Sequence, residues 1–201
     1  MELNNLIVNM KVITVSGAHK GVGKTLLTEL LLRNLTGFAA IKITMTDLQT
    51  SVKDDEEEVM IPGKDTFRMK RSGAEKVVWV KATEESLEEA MEHALGMVGK
   101  PKGLLIEGNS ILRYLNPEIA FFVIDSTIES MKQSRVSALK KADVCVINQK
   151  NGAIISEDTL QELNKLNPKM KIFNFDLFSV SSKDNKDSKD LINYLEKRVS
   201  D

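Results

Sequence analysis

Lys24 and Thr25 stand side by side at the end of the run Ala18, His19, Lys20, Gly21, Val22, Gly23. An ammonium and a hydroxyl behind two glycines suit an anion with many oxygens. Glycines let a backbone approach such an anion with no Cβ in the way. Successive N–H groups can then turn inward and form a nest for it. The spacing follows G-x-x-x-x-G-K-[ST], with Ala18 in place of the first glycine. Lys24 would reach the outer phosphates of a nucleoside triphosphate, and the Thr25 hydroxyl would bind Mg²⁺. An apolar run, residues 10–16, precedes the loop, and a leucine-rich helical pattern, 25–35, follows it. That strand-to-helix junction adds the positive end of a helix dipole to the same anion site.

Further groups belong near this loop if their strands end on the same edge. Glu107 closes the apolar run 103–107 and is followed by Gly108, so it is the first candidate carboxylate for magnesium. Asp47, just beyond the run 38–44, is the second, and Lys42 within that run could neutralise phosphate charge. Asn148 ends the run 143–148 and opens "NQKN", a relative of the guanine-reading N-K-x-D pattern. Gln149 replaces its lysine and Asn151 its aspartate. An amide cannot accept both hydrogen bonds that guanine offers a carboxylate, so GTP and ATP both stay open.

The elements that must position these residues alternate. Apolar runs at 10–16, 38–44, 76–81, 103–107, 120–124, 143–148 and 171–175 read as strands. Helical periodicity falls between them: 25–35, about 84–98 with Thr83 as N-cap, a capping box at 126–129 opening a helix to about Lys141, 156–166, and a last helix after residue 189. Continuous apolar strands alternating with helices predict an α/β fold, a mainly parallel sheet flanked by helices in three layers. The chain of 201 residues reads as one domain. Residues 45–75 break the rhythm, with weak periodicity and the acidic run Asp54 to Glu58; they read as a mobile functional loop.

Composition narrows the classes. The formal charge of −1 argues against a free nucleic-acid binder. No run approaches the ~18 apolar residues of a membrane span. Cys145 is the only cysteine, which excludes internal disulfides and cysteine metal clusters. "MELNNLIVNM" lacks the basic n-region of a signal peptide. The expectation is a cytoplasmic protein that binds neither nucleic acid nor membrane.

Together these features resemble the P-loop class that contains dethiobiotin synthetase, the partitioning ATPases and the metallocentre GTPases. Many members carry an extra lysine early in the loop that reaches into a partner subunit. His19 holds that position here, with lysine one place later at Lys20, so a homodimer stays open. The stretch "IPGKDTFRMKRSGAEKVVWV" is similar to the P-G-K-D-[ST]-x-R…A-G-A segment of the molybdopterin-guanine dinucleotide biosynthesis protein B (MobB) family. The resemblance covers roughly residues 10–108. It implies a nucleotide-binding accessory factor, usually for GTP, in molybdenum cofactor biosynthesis, acting with molybdopterin and a separate guanylyltransferase; with no strong general base near the loop, hydrolysis of GTP or ATP is expected to be slow. It also implies that Gly63, Lys64, Asp65, Thr66 and Arg68 belong to a shared loop. Physically, Lys64, Arg68, Lys70 and Arg71 would offer cations to a pterin-linked phosphate. The competing readings are an ATP-dependent synthetase, whose early lysine Lys42 resembles, and a partitioning-type regulatory ATPase.

Overall fold

The computed structural model describes residues 3–126, 133–179 and 186–199. Its core is an eight-stranded sheet in the order β3-β4-β2-β5-β1-β6-β7-β8. The strands are β1 (Lys11–Gly17), β2 (Phe38–Met45), β3 (Ser51–Lys53), β4 (Val77–Ala82), β5 (Gly103–Glu107), β6 (Ile119–Asp125), β7 (Val144–Asn148) and β8 (Lys171–Phe175). All neighbours pair in parallel except β3, which runs antiparallel to β4 at one edge. The expected α/β class and mainly parallel sheet are therefore observed. The central strands β1, β5, β6 and β7 are apolar almost throughout and buried, because helices cover both faces.

One face packs under α2 (Lys24–Arg33), α4 (Asp65–Arg71) and α8 (Lys186–Val199), with Leu27, Leu31, Met69 and Leu191 fully buried there. The other packs under α1 (Leu3–Leu6) and α5 (Leu87–Val98), and, beyond β1, under α6 (Gln133–Lys140) and α7 (Glu157–Leu166). Leu3 and Ile7 seat the short α1 on the α5 side of that layer.

Three details differ from the sequence reading. Helix α5 starts at Leu87, with Ser86 rather than Thr83 at the cap position. Thr83 and Ser86 instead bond each other's backbone N–H, at 3.1 and 3.3 Å, and close the turn before the helix. The weakly periodic stretch 45–75 carries β3, α3 (Glu56–Val59) and α4, since a strand of three residues and a helix of four are too short to show a period. The capping box at 126–129 falls, apart from Ser126, outside the described residues, and α6 is described only from Gln133. No helix among the described residues is long and apolar enough to cross a membrane.

Candidate functional site

The loop 18–25 joins β1 to α2 at the carboxyl edge of the sheet, where ligands of open α/β folds bind. Lys20, Gly21, Gly23, Lys24 and Thr25 line a cavity of ≈ 550 Å³, closed by Lys42 and Thr44 of β2, Asp65 and Arg68 of α4, Glu107 of β5 and Phe178. Ala18 and Val22 point the other way and are buried in the two cores beneath the loop. Ala18 serves where the pattern has glycine because the close approach falls one residue earlier. A Cβ on Gly17 would lie 2.8 Å from Val22 Cγ1. At Gly23 only glycine fits, since its φ is +112° and a Cβ would meet Asn148 Nδ2 at 2.7 Å.

Below the loop, oxygen and nitrogen atoms converge. The Thr25 hydroxyl stands 2.9 Å from Asp65 Oδ1 and 3.3 Å from Glu107 Oε1. Thr28 donates to Glu107 Oε2 at 3.2 Å. Lys42 Nζ bridges both acids, 2.5 Å from Glu107 Oε1 and 2.7 Å from Asp65 Oδ2. Sheet register sets part of this directly, because Lys42 on β2 is the cross-strand neighbour of Glu107 on β5. Glu107 is 1% exposed, so these partners take the place of water around its carboxylate. Burial alone would lower the Lys42 pKa, but the Glu107 charge and the bonds to Asp65 and Glu107 outweigh it and raise it. Burial likewise works against the Asp65 carboxylate, yet Lys42, the Thr25 hydroxyl and Arg68 hold it below the usual carboxylate range. Lys24 donates to the His19 carbonyl at 3.0 Å; burial pushes its pKa down, and repulsion from Lys42 and Arg135 adds to that against Glu107 and Asp65.

The sequence candidates divide. Lys20, Gly21, Gly23, Lys24, Thr25, Lys42, Arg68 and Glu107 meet at the cavity. Asp47 does not: it is exposed in the turn after β2, and Asp65 stands beside Thr25 in the place foreseen for it. No spacing rule links Asp65 to Thr25 across 40 residues; the only sequence signal was its place in the P-G-K-D stretch. His19 is held outside the nest, with Nε2 2.9 Å from Asp125 Oδ1 and Nδ1 2.9 Å from the Lys20 carbonyl. Asn148 is 1% exposed and works as a clamp. Its amide donates to the Val22 carbonyl and accepts from Leu177 N–H, both at 3.0 Å, tying the phosphate loop to the segment after β8. The four cations foreseen around residue 68 scatter. Arg68 forms a two-pronged pair with Glu29 at 2.9 Å while lining the rim, Lys70 bonds the Glu75 carbonyl, and Arg71 covers the Phe67 ring. Lys64 faces an adjoining cavity.

Strand order, the phosphate loop at the carboxyl edge and the acid at the end of β5 define the fold of the P-loop nucleoside triphosphatases. Solved structures agree. HypB from Helicobacter pylori, in complex with nickel, superposes with a TM-score of 0.64 at 17% identity, covering 99% of this chain and 92% of that one. The hydrogenase maturation factor HypB from Archaeoglobus fulgidus gives a TM-score of 0.63 at 18% identity, covering 97% and 94%. At such identities the likeness is one of fold. No protein-family model and no curated protein matches the chain by sequence.

Proposed function

We propose that the chain binds a nucleoside triphosphate, GTP or ATP, together with Mg²⁺, and hydrolyses it slowly as an accessory factor in molybdenum cofactor biosynthesis. The observation that carries the nucleotide role is the cluster of Thr25, Asp65, Glu107 and Lys42 directly beneath a glycine-rich anion nest. Three oxygen donors of one hydroxyl and two carboxylates suit magnesium, a hard cation that takes one or two carboxylates besides phosphate and water. Thr25, Asp65 and Glu107 would hold it, and it would supply charge neutralisation at the phosphates. Lys24 then donates to phosphate oxygens instead of the His19 carbonyl. Lys42, sharing its two acids with the ion, turns part of its charge toward the same oxygens. Both ring nitrogens of His19 are engaged, one by Asp125 and one by the Lys20 carbonyl, so it is not placed as a general base, and hydrolysis resting on positioning and charge would be slow.

Support for the finer role comes from the segment 62–68. Its residues, which resemble the MobB stretch, help to line the site. Gly63 takes a φ of +87°, Thr66 anchors α4 to the Val59 carbonyl at 2.9 Å, Arg68 ties α4 to α2, and Asp65 meets Thr25. The nickel of the HypB structure is not carried over: Cys145 lies buried in β7, where burial pushes its thiol up to about 12. Phe178, half-exposed on the cavity rim with the Lys150 ammonium 5.8 Å from its ring, offers a surface for a base.

Titration of labelled GTP and ATP, with and without Mg²⁺, tests the nucleotide role. Saturable, magnesium-dependent binding that Lys24→Ala removes is expected. Equal behaviour of wild type and Lys24→Ala would refute it. For the cofactor role, the chain should stimulate guanylyl transfer to molybdopterin by a purified guanylyltransferase; no stimulation at any nucleotide concentration would end that reading.

A further inference from the structure

A separate cavity, of ≈ 290 Å³, lies on the face of the sheet opposite α2, between the helical turn Ser110–Arg113 and the end of α6. Asn109, Ser110 and Arg113 line it from the segment after β5, and Ser137 and Lys141 from α6 and the residue that follows it. The apolar core reaches it through Leu112 and Ala138. None of these residues lines the nucleotide cavity.

The end of β5 creates the space. β5 pairs with β1 as far as Glu107 and Val15. Beyond that rung a side chain stands in for the strand. Asn109 Oδ1 accepts from the Gly17 N–H at 2.9 Å, and Asn109 Nδ2 donates to the Gly17 carbonyl at 3.0 Å. The chain can then leave the sheet and form its helical turn with the β1 backbone still satisfied.

Acceptors around the cavity are already served. Lys141 Nζ donates to the Leu112 carbonyl at 2.5 Å, and Arg113 Nε to the Ser110 carbonyl at 3.4 Å. Carbonyls at the end of α6 would repel an anion. The Asn167 amide covers them, reaching those of Leu139, Lys140 and Ala142 at 3.2, 3.3 and 2.7 Å. Donors remain. Ser110 is 5% exposed, and its hydroxyl has no partner among the described residues. A buried polar group of this kind calls for a partner from outside the chain. The Ser137 hydroxyl is equally unengaged. The Lys141 ammonium and the Arg113 guanidinium carry more N–H groups than these bonds use. Arg113 also pairs with Glu84, but both side chains are more than a third exposed, so water weakens that pair. Among the described residues no acid lines the cavity.

Two cations and two hydroxyls without a carboxylate complement an oxyanion. Their donors come from two separate segments of chain. A tetrahedral ion, with oxygens on every side, meets both better than a planar carboxylate does. The volume is near the lower end of ligand pockets, ~300 Å³, and leaves Leu112 and Ala138 for a short carbon body beside the ion.

We propose that this cavity is a second anion site, taking inorganic phosphate or the phosphate end of a small phosphomonoester. Ser110, Ser137, Arg113 and Lys141 hold the phosphate oxygens. Asn109 stands between this site and the phosphate loop, since it lines the cavity and holds Gly17, the residue before the nest. The site is independent of the nucleotide reading.

Calorimetry on the full chain tests it, with inorganic phosphate, glycerol 3-phosphate and, as the planar control, glycerate as probes. Phosphate also suits the loop at Lys24, so Lys24→Ala is the reference protein. Saturable binding of the phosphate probes is expected there. In that background Ser110→Ala, which removes only a hydroxyl that serves nothing in the protein, should weaken it by roughly 2–10-fold. Arg113→Gln combined with Lys141→Gln should weaken it by about tenfold or more. Circular-dichroism melts check that each variant is folded, and Ser110→Ala decides alone if the double variant is not. Tighter binding of glycerol 3-phosphate than of phosphate assigns the ester as ligand; the reverse assigns the free ion. No saturable binding in Lys24→Ala overturns the proposal. So does an affinity that Ser110→Ala or the folded double variant leaves unchanged, or glycerate binding as tightly as glycerol 3-phosphate.

Discussion

Glu107→Gln separates a structural from a metal-binding role, because the side chain keeps its shape and loses only charge. In the wild type Oε1 serves Lys42 and Thr25, and Oε2 serves Thr28. Glutamine has one oxygen. It should turn that oxygen to Lys42 and its amide to Thr28, whose hydroxyl can accept as well as donate. The hydrogen bonds survive, but Lys42 keeps only Asp65, at 2.7 Å, as a full counter-charge. Stripping a buried ion of its sole partner costs ~3–5 kcal/mol. With Asp65 retained the loss should be about 1–2 kcal/mol, which for a domain of this size lowers Tm by roughly 2–8 °C. Magnesium is hit harder. Removal of one of two anionic ligands should raise the Mg²⁺ concentration at half-saturation of nucleotide binding by about tenfold or more. Circular-dichroism melts and a magnesium titration against labelled nucleotide read the two effects separately. A Tm within about 1 °C of wild type, together with an unchanged magnesium midpoint, would refute both the electrostatic account of the cluster and the assignment of Glu107 as a metal ligand.

Lys24→Met should lower nucleotide affinity by roughly 10–100-fold, the worth of charge-assisted bonds to phosphate. It should not lower Tm, because burial disfavours the charged lysine in the folded state; a Tm loss of several degrees would contradict this. Asp65 has a depressed folded-state pKa, so its stabilisation is present above the ordinary carboxylate value of 3.8 and is lost as pH falls below it. Asp65→Asn should therefore flatten the acid limb of a stability–pH curve measured by denaturant melts, and an identical limb would show that the pairing adds no stability. Arg68→Lys replaces a two-pronged bond to Glu29 with a point contact and should cost up to about 1 kcal/mol. Hydrogen exchange should speed up in α4 while β2 is unchanged. The turns at 46–50 and 60–64 should gain exchange protection on Mg²⁺–nucleotide, whereas Met69, already buried, should gain little; protection of both turns in the nucleotide-free protein equal to that of β4 would show them rigid from the start.

What the sequence made legible was local. The phosphate loop is contiguous, and its flanking strand and helix carry unmistakable periods. Glu107 could be found because it terminates an apolar run, and parallel strands end on one edge. The same reasoning misplaced Asp47. It too follows a strand, but β2 is continued by a turn that carries it to the surface. Asp65 comes from α4, a helix of seven residues that packs over α2, where Arg68 meets Glu29 and Met69 enters the core. Those are tertiary contacts that no window of sequence displays. Asn148 was legible as special but not as a clamp, since that depends on where Val22 and Leu177 arrive from distant parts of the chain.

Sheet register also joins the nucleotide cavity to the one that adjoins it at Lys64. Glu107, Lys42 and Trp79 occupy a single cross-strand row over β5, β2 and β4. Lys42 thus touches the carboxylates on one side and lines the adjoining cavity, with Trp79, on the other. Without ligand the inner site is electrically balanced, Lys24 and Lys42 against Asp65 and Glu107. Any new cation at the two acids upsets that balance, and Lys42 is the group free to answer, because its ammonium sits on a flexible stem while both acids are anchored by hydroxyls. A metal ion taking up those acids would turn the Lys42 charge toward phosphate oxygens, and the strand pairing that fixes its place keeps that response local to the site.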